Sequence, residues 1–269
     1  MPELPEVETI RQSLLPHVVG TVVANVEVRE RRLRRPLAAD FEQAVRGRPI
    51  CGIERRGKYL LFDIDRGEHL LVHLGMSGTL ELRDSTPDQP HDHVLFHLRD
   101  APRLVFNDPR RFGLLRVGRI AELDELRSVG PDPLAEQWSA ERLRGLVRRR
   151  KLPIKNLLMD QRVIGGIGNI YASEMLFRAG VRPRRSAARL RGRELTALAS
   201  AMRAVLEEAV QAGGSSISDF RDGTGRSGYF QLQHAVYERE GEACRRCATP
   251  IRRVVLSGRS SFYCPRCQV

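Results

Sequence analysis

The six residues VGPDPL at 129–134 are where the hydrophobic period of this chain changes, and reading them decides its architecture. Upstream, from about 21 to 118, short apolar runs stand between Gly, Pro and Asp: TVVANVEV (21–28), YLLFDID (59–65), HLLVHL (69–74), TLELR (79–83), HVLFHL (93–98) and RLVFN (103–107). Such runs predict strands, and their number predicts an antiparallel β-sandwich or barrel. Downstream the pattern turns helical near 139–150, 153–159, 170–179 and 192–212. The proline and glycine punctuation marks a domain boundary near residue 130. Ahead of the strands, Leu4, Val7, Ile10, Leu14 and Leu15 share one face of a helix over 3–15.

The chain has 269 residues, long enough for two domains or for one with an appendage. Its hydrophobic fraction of 41% and charged fraction of 29% suit a globular protein. No apolar run reaches the roughly 18 residues of a membrane span, and the acidic start lacks the layout of a signal peptide. A cytoplasmic location is therefore expected. A net charge of +12 points to a polyanionic partner such as nucleic acid. Only three of the 45 basic residues are lysines (Lys58, Lys151, Lys155), which a compositional bias toward arginine explains; the excess over acids it does not explain.

The tail reads CRRCATPIRRVVLSGRSSFYCPRC, with Cys244 and Cys247 forming one two-residue-spaced pair and Cys264 and Cys267 another. Two such knuckles around a strand, turn, strand run predict a zinc ribbon holding one structural Zn²⁺, since four thiolates leave no coordination position for a substrate. Two disulfides are the alternative; the odd fifth cysteine, Cys51, argues against them. Arg245, Arg246, Arg252, Arg253, Arg259 and Arg266 would make the ribbon a cationic hairpin. In the helical half, VIGGIGNIYASEMLFRAG places Gly165, Gly166 and Gly168 before Asn169, an expected helix N-cap whose neighbouring amides suit a phosphate. Residues 142–155 add seven basic side chains and no acid.

PELPEVET (2–9), GKYLLF (57–62), HLGMSG (73–78), NDPRRFG (107–113), GGIGNIYASE (165–174) and the four-cysteine tail follow one another in this order. Together they resemble the bacterial formamidopyrimidine-DNA glycosylase family, from Pro2 to Cys267. The resemblance implies an α+β multidomain fold: a β-sandwich domain with a flanking helix over 1–130, a helix-two turns-helix domain with a lesion-capping loop over 131–237, and a zinc finger over 238–269. It implies duplex DNA with oxidised bases as partner, held in a cleft with the damaged nucleotide turned out, and a monomer on the bacterial nucleoid.

By the same resemblance Pro2, once Met1 is removed, is the nucleophile, with Glu3 handling a proton at the sugar ring. A free α-amine with a pKa near 8 is partly neutral at physiological pH, and a secondary amine can form an iminium at C1′. Lys58 is assigned to the DNA phosphate and lesion. His73, Asn169 and Arg259, with Tyr237, grip phosphates, and Arg259 also counts with the catalytic group. Lys155 and Glu174 support the lesion site. Met76, Arg110 and Phe112 fill the void left by the extruded nucleotide. Residues 216–230 resemble a loop closing over 8-oxoguanine. This chain departs from the pattern at Ser218, where a basic residue is common, and at Glu238, where glycine is usual. Two other readings stay open: an endonuclease VIII-type enzyme acting on oxidised pyrimidines, against which Leu4 and the Met, Arg, Phe trio speak, and a zinc-ribbon DNA binder without catalysis.

Overall fold

A computed structural model describes residues 1–84, 87–216 and 220–269. The chain forms two compact units, Met1–Ser128 with Ala212–Tyr229, and Val129–Gln211 with Phe230–Val269.

The first unit opens with helix α1 (Leu4–Val18) and contains eight strands: β1 (Val23–Val28), β2 (Gly52–Arg56), β3 (Tyr59–Asp63), β4 (His69–His73), β5 (Thr79–Arg83), β6 (Asp92–Leu98), β7 (Arg103–Asn107) and β8 (Leu114–Gly118). They form two antiparallel four-stranded sheets, ordered β1-β6-β7-β5 and β2-β3-β4-β8. Val26, Leu80, Val94, Phe96, Leu104 and Phe106 of the first sheet share one core with Ile53, Leu60, Phe62, Leu70, Val72 and Leu115 of the second. Val7, Ile10, Leu14 and Val18 of α1 and Phe41 and Val45 of a short helix α2 (Phe41–Val45) join it. The outer face of the second sheet is covered as well: Leu61, Leu71 and Leu114 pack on Leu123 and on Leu126 of helix α3 (Asp124–Arg127). Burial on both faces is why YLLFD and HLLVH read as continuous apolar runs, not as alternations.

Strands β2 and β8 fall in the β-rich region without a run of their own in the sequence reading. In β2 only Ile53 is buried apolar; Arg55 lies along α1 and pairs with Glu8 at 2.8 Å, so an ion pair replaces a hydrophobic contact. In β8, Arg116 interrupts the run and pairs with Glu125 at 2.9 Å.

Residues 212–229 pack with the first unit, whereas the sequence partition assigns them to the helical domain. Gly223 N–H donates to Ser13 Oγ at 2.8 Å, Leu82 N–H donates to the Gly223 carbonyl at 2.7 Å, and Ser215 N–H donates to Glu6 Oε1 at 2.8 Å. The segment is thus tied to α1 and β5.

The second unit holds α4 (Ala140–Val147), α5 (Ile154–Met159), α6 (Asn169–Arg178) and α7 (Gly192–Gln211). Helix α7 buries Leu195, Leu198, Met202, Val205, Leu206 and Ala209, the stripe expected of an amphipathic helix. Between α5 and α6, Gln161 ties the turn: its Oε1 accepts from Gly166 N–H at 2.8 Å and its Nε2 donates to the Ile167 carbonyl at 2.6 Å. Strands β9 (Arg252–Leu256) and β10 (Arg259–Tyr263) pair antiparallel as a hairpin. Its two-residue loop, Ser257 (φ 47°) and Gly258 (φ 75°), has the two positive φ values of a type I′ turn. Among the described residues no helix is long and apolar enough to cross a membrane.

Candidate active site and nucleic-acid interface

In the first unit, Met1, Arg34, His73, Gly75, Met76 and Phe112 line a pocket of about 230 Å³. Pro2 and Glu3, directly after Met1, are buried, and the Glu3 N–H donates to Glu6 Oε2 at 2.8 Å, which fixes the entry into α1. Burial holds the Met1 α-amine below its ordinary value; Glu3 and Glu6 oppose that shift, and Lys58 and Arg110 add to it. The chain terminus therefore lies within electrostatic reach of both cations.

Lys58 sits in the two-residue loop between β2 and β3, where Gly57 takes φ 57°. The side chain is buried, as a turn lysine on the surface would not be. His73 ends β4 and is almost fully buried; burial, then the charges of Lys58 and Arg34, push its pKa down to about 4. Its Nδ1 accepts the Gly75 N–H at 3.0 Å, so the neutral ring carries its proton on Nε2, where it can donate to an anion. Tyr59 packs on it with ring centroids 4.7 Å apart.

Met76 and Phe112 are 43% and 46% exposed, and the Arg110 guanidinium lies 4.9 Å from the Phe112 ring centroid. Two turns present these side chains, and their backbones touch: a Cβ on Gly75 (φ 63°) would lie 2.5 Å from the Phe112 carbonyl carbon. A residue that sequence reasoning did not single out joins the turns. Asp108, fully buried, accepts through Oδ1 from Ser77 Oγ (3.2 Å) and Arg110 N–H (3.3 Å), and through Oδ2 from Gly113 N–H (2.7 Å). Its own carbonyl accepts from Arg111 N–H at 3.1 Å and His93 Nε2–H at 2.8 Å. The letters NDPRRFG contain Asp108, yet nothing in its spacing announces those partners.

In the second unit, the N-cap of α6 is Gly168, in extended conformation, and Asn169 is the first helical residue. The cap thus falls one residue earlier than expected, because glycine takes the extended cap position readily and leaves Asn169 inside the first turn. The Asn169 Oδ1 is buried without a hydrogen-bond partner. Glu174, on the same helix, is buried, and its carboxylate accepts three backbone N–H groups: Ala235 (2.8 Å), Val236 (3.0 Å) and Tyr237 (2.8 Å). Burial raises its pKa and the three amides resist the rise. The Tyr237 ring packs on Phe262 of the finger at 5.3 Å. Glu238 follows at φ 58°, the left-handed region, which accounts for the preference for glycine there.

Lys155, 1% exposed, donates from Nζ to Ser261 Oγ (2.8 Å) and to the Ser260 carbonyl (3.1 Å). Asn156 Nδ2 donates to Ser257 Oγ at 2.6 Å. Helix α5 thus grips both the tip and the second strand of the hairpin, and Arg259 leaves the turn exposed between those holds. Of the seven basic residues in 142–155, Arg142 pairs with Glu136 at 2.5 Å and stacks on Trp138 at 4.5 Å, while Arg144, Arg148, Arg149, Arg150 and Lys151 are exposed. Ser218 lies outside the described residues.

The sulfurs of Cys244, Cys247, Cys264 and Cys267 all lie within 4.8 Å of one another. Tetrahedral zinc with Zn–S near 2.3 Å requires sulfurs about 3.8 Å apart. Cys244 and Cys267 stand at 3.9 Å and Cys247 and Cys264 at 3.5 Å, so the cluster fits a single structural zinc. Arg246 and Cys267 N–H groups donate to the Cys244 and Cys264 sulfurs at 3.4 Å each, as expected of thiolates. Cys244 and Cys264 also belong to a small core with Phe177, Val236, Ile251 and Phe262, so the finger is packed on α6.

The first unit is thus a β-sandwich bearing a terminus-lined pocket, and the second carries helices and a four-cysteine finger. The formamidopyrimidine-DNA glycosylase N-terminal domain matches residues 1–115, the H2TH domain of the same enzymes residues 129–221, and the zinc finger found in FPG and IleRS residues 241–269. The formamidopyrimidine-DNA glycosylase of Thiobacillus denitrificans is 50% identical and that of Ruegeria pomeroyi 45%, each over the whole of both chains. The crystal structure of the MutM (Fpg) protein from Thermus thermophilus superposes with a TM-score of 0.89 at 42% identity, covering 99% of this chain and 98% of that one. The complex of Lactococcus lactis Fpg with abasic-site DNA gives 0.91 at 32% identity, covering 99% of both chains. A complex of the same Lactococcus protein with DNA containing an oxidised pyrimidine gives 0.90 at 30% identity, again covering 99% of both. The chain belongs to the formamidopyrimidine-DNA glycosylase family.

Proposed function

We propose that this protein is a bifunctional DNA glycosylase and AP lyase of base excision repair, excising oxidised purines (8-oxoguanine and formamidopyrimidines) from double-stranded DNA. The observation that carries the reading is the pocket that brings the chain terminus beside His73, Met76 and Phe112. Removal of Met1 exposes the secondary amine of Pro2. Its lone pair attacks C1′, the glycosidic bond breaks, and the base departs with its electron pair. Glu3 supplies a proton to the sugar ring oxygen as the ring opens to an iminium. The iminium acidifies the C2′ proton; its loss expels the 3′ phosphate, and a second elimination expels the 5′ phosphate. The Met1 α-amine, directly before Pro2, is lowered by burial and by Lys58 and Arg110 against the opposing charges of Glu3 and Glu6; a Pro2 amine exposed in the same surroundings is expected to be held toward the neutral form that this attack needs.

Lys58 serves the lesion and its phosphate as a compact point charge. Neutral His73 donates from Nε2, and Asn169, Tyr237 and Arg259 take further phosphates. Lys155 and Glu174 act through what they hold: the hairpin that carries Arg259, and the segment that carries Tyr237. Met76 and Phe112 wedge into the stack while Arg110 faces the orphaned base. One structural zinc keeps the hairpin folded and supplies no reacting group. The enzyme is proposed to work as a monomer in the bacterial cytoplasm, without membrane attachment, its +12 charge holding it to the nucleoid.

Oxidised pyrimidines are the second reading, favoured by the Lactococcus complex with such DNA. Strand-cleavage assays on duplexes carrying 8-oxoguanine opposite cytosine, or thymine glycol, decide between them. Faster cleavage at 8-oxoguanine, leaving phosphates on both flanking ends, is expected. Cleavage confined to thymine glycol would make this an endonuclease VIII-type enzyme, and binding without cleavage of either would leave a zinc-ribbon DNA binder.

A further inference from the structure

We infer that Asp108 is a positioning residue for void filling: its buried carboxylate sets the two turns that present Met76, Arg110 and Phe112. The inference rests on the wedge reading of those three side chains given above. A carboxylate is costly to bury and stays buried where its oxygens are hydrogen-bonded. Here every side-chain bond runs to a turn. Ser77 Oγ belongs to the Met76 turn, and Arg110 N–H and Gly113 N–H bracket the Phe112 turn. Between those brackets Arg111 is held at φ 55°, a left-handed conformation that costs an arginine energy and persists only where its surroundings enforce it. The facing turn approaches so closely that Gly75 has no room for a Cβ.

The chemistry of the site requires an acceptor at both oxygens. An apolar side chain could fill the volume at the end of β7, but it would leave two backbone N–H groups and a hydroxyl to find other partners. The wedge side chains are themselves exposed, so they gain little from core packing and depend on the backbone beneath them for their height and angle. A displacement of about 1 Å at a site that must enter a base stack is enough to slow the step.

Asp108→Asn keeps the shape and replaces one acceptor by a donor, which must face either the Gly113 N–H or the Arg110 N–H. Single-turnover cleavage of an abasic site opposite cytosine in a duplex should fall about tenfold or more, the loss expected for a broken charge-assisted hydrogen bond. Cleavage of the same abasic strand unpaired, where no void exists, should stay within about twofold of wild type. 2-Aminopurine placed beside the orphaned cytosine should brighten when wild type binds and stay dim with the variant. Ser77→Ala, which removes one donor and leaves the carboxylate, should shift the duplex rate in the same direction by less; it carries the comparison if Asp108→Asn does not fold. Equal losses on paired and unpaired substrates, or no loss on either, would overturn the inference. Failure of wild type to cleave either substrate would instead overturn the enzymatic reading beneath it.

Discussion

Glu238 is an exposed glutamate held at φ 58° between Tyr237, whose N–H is bound by Glu174, and the start of the finger. A left-handed conformation costs a residue with a Cβ about 1–2 kcal/mol, and glycine escapes that cost while losing about 0.5–1 kcal/mol of chain entropy on folding. Glu238→Gly should therefore leave the protein unchanged or up to about 1 kcal/mol more stable in urea unfolding, and DNA affinity should hold or improve as one negative charge leaves the Tyr237 segment. A clear loss of stability would mean that the glutamate carboxylate does something the backbone does not reveal. At this scale the sequence was uneven as a guide. The four cysteines announce a metal site by their spacing alone, whereas Pro2 and Lys58 stand in motifs whose resemblance to a family, not residue type, suggests their roles. Asp108 announces nothing, because Ser77 lies 31 residues away and the bonds to Arg110 and Gly113 depend on the turn's backbone conformation, which no residue type records. Asn169 was displaced by one position because the choice of cap between it and Gly168 is made by backbone conformation.

Among elements, those with a strong period were legible, and those stabilised by charge were not. The apolar stripe of α7 and the runs of β3, β4, β6 and β7 can be read directly, whereas β2 is held by Arg55 and Glu8, a pairing 47 residues apart that no local pattern records. Helices α2 and α3 have five and four residues, too few to show a helical period. The hairpin β9–β10 was legible because the ligand spacing and the Ser257–Gly258 turn agree on it. Its apolar core is six buried residues, two of them zinc ligands, so the metal supplies much of its folding energy. Chelation of zinc should unfold this hairpin, free the serines on either side of Arg259 from Lys155 and Asn156, and weaken DNA binding by at least about tenfold. The sheets of the first unit should remain folded, as circular dichroism and a filter-binding titration can establish. Undiminished binding after complete zinc removal would show that the hairpin is not part of the interface.

Across the whole molecule, the composition and the change of period at 129–134 were enough to separate a β-rich half from a helical one. The placement of 212–229 was not in reach, since it depends on Gly223, Ser215 and their partners on α1. On the proposed mechanism the chain terminus is itself the nucleophile, so that helix α1, the sandwich behind it and the wedge turns serve one secondary amine. Borohydride reduction of the reacting complex, followed by proteolysis and mass spectrometry, tests it directly. A covalent DNA adduct on the N-terminal peptide, attached at the nitrogen of Pro2 with Met1 absent, is expected. An adduct on Lys58 or another lysine, or none while cleavage proceeds, would contradict it.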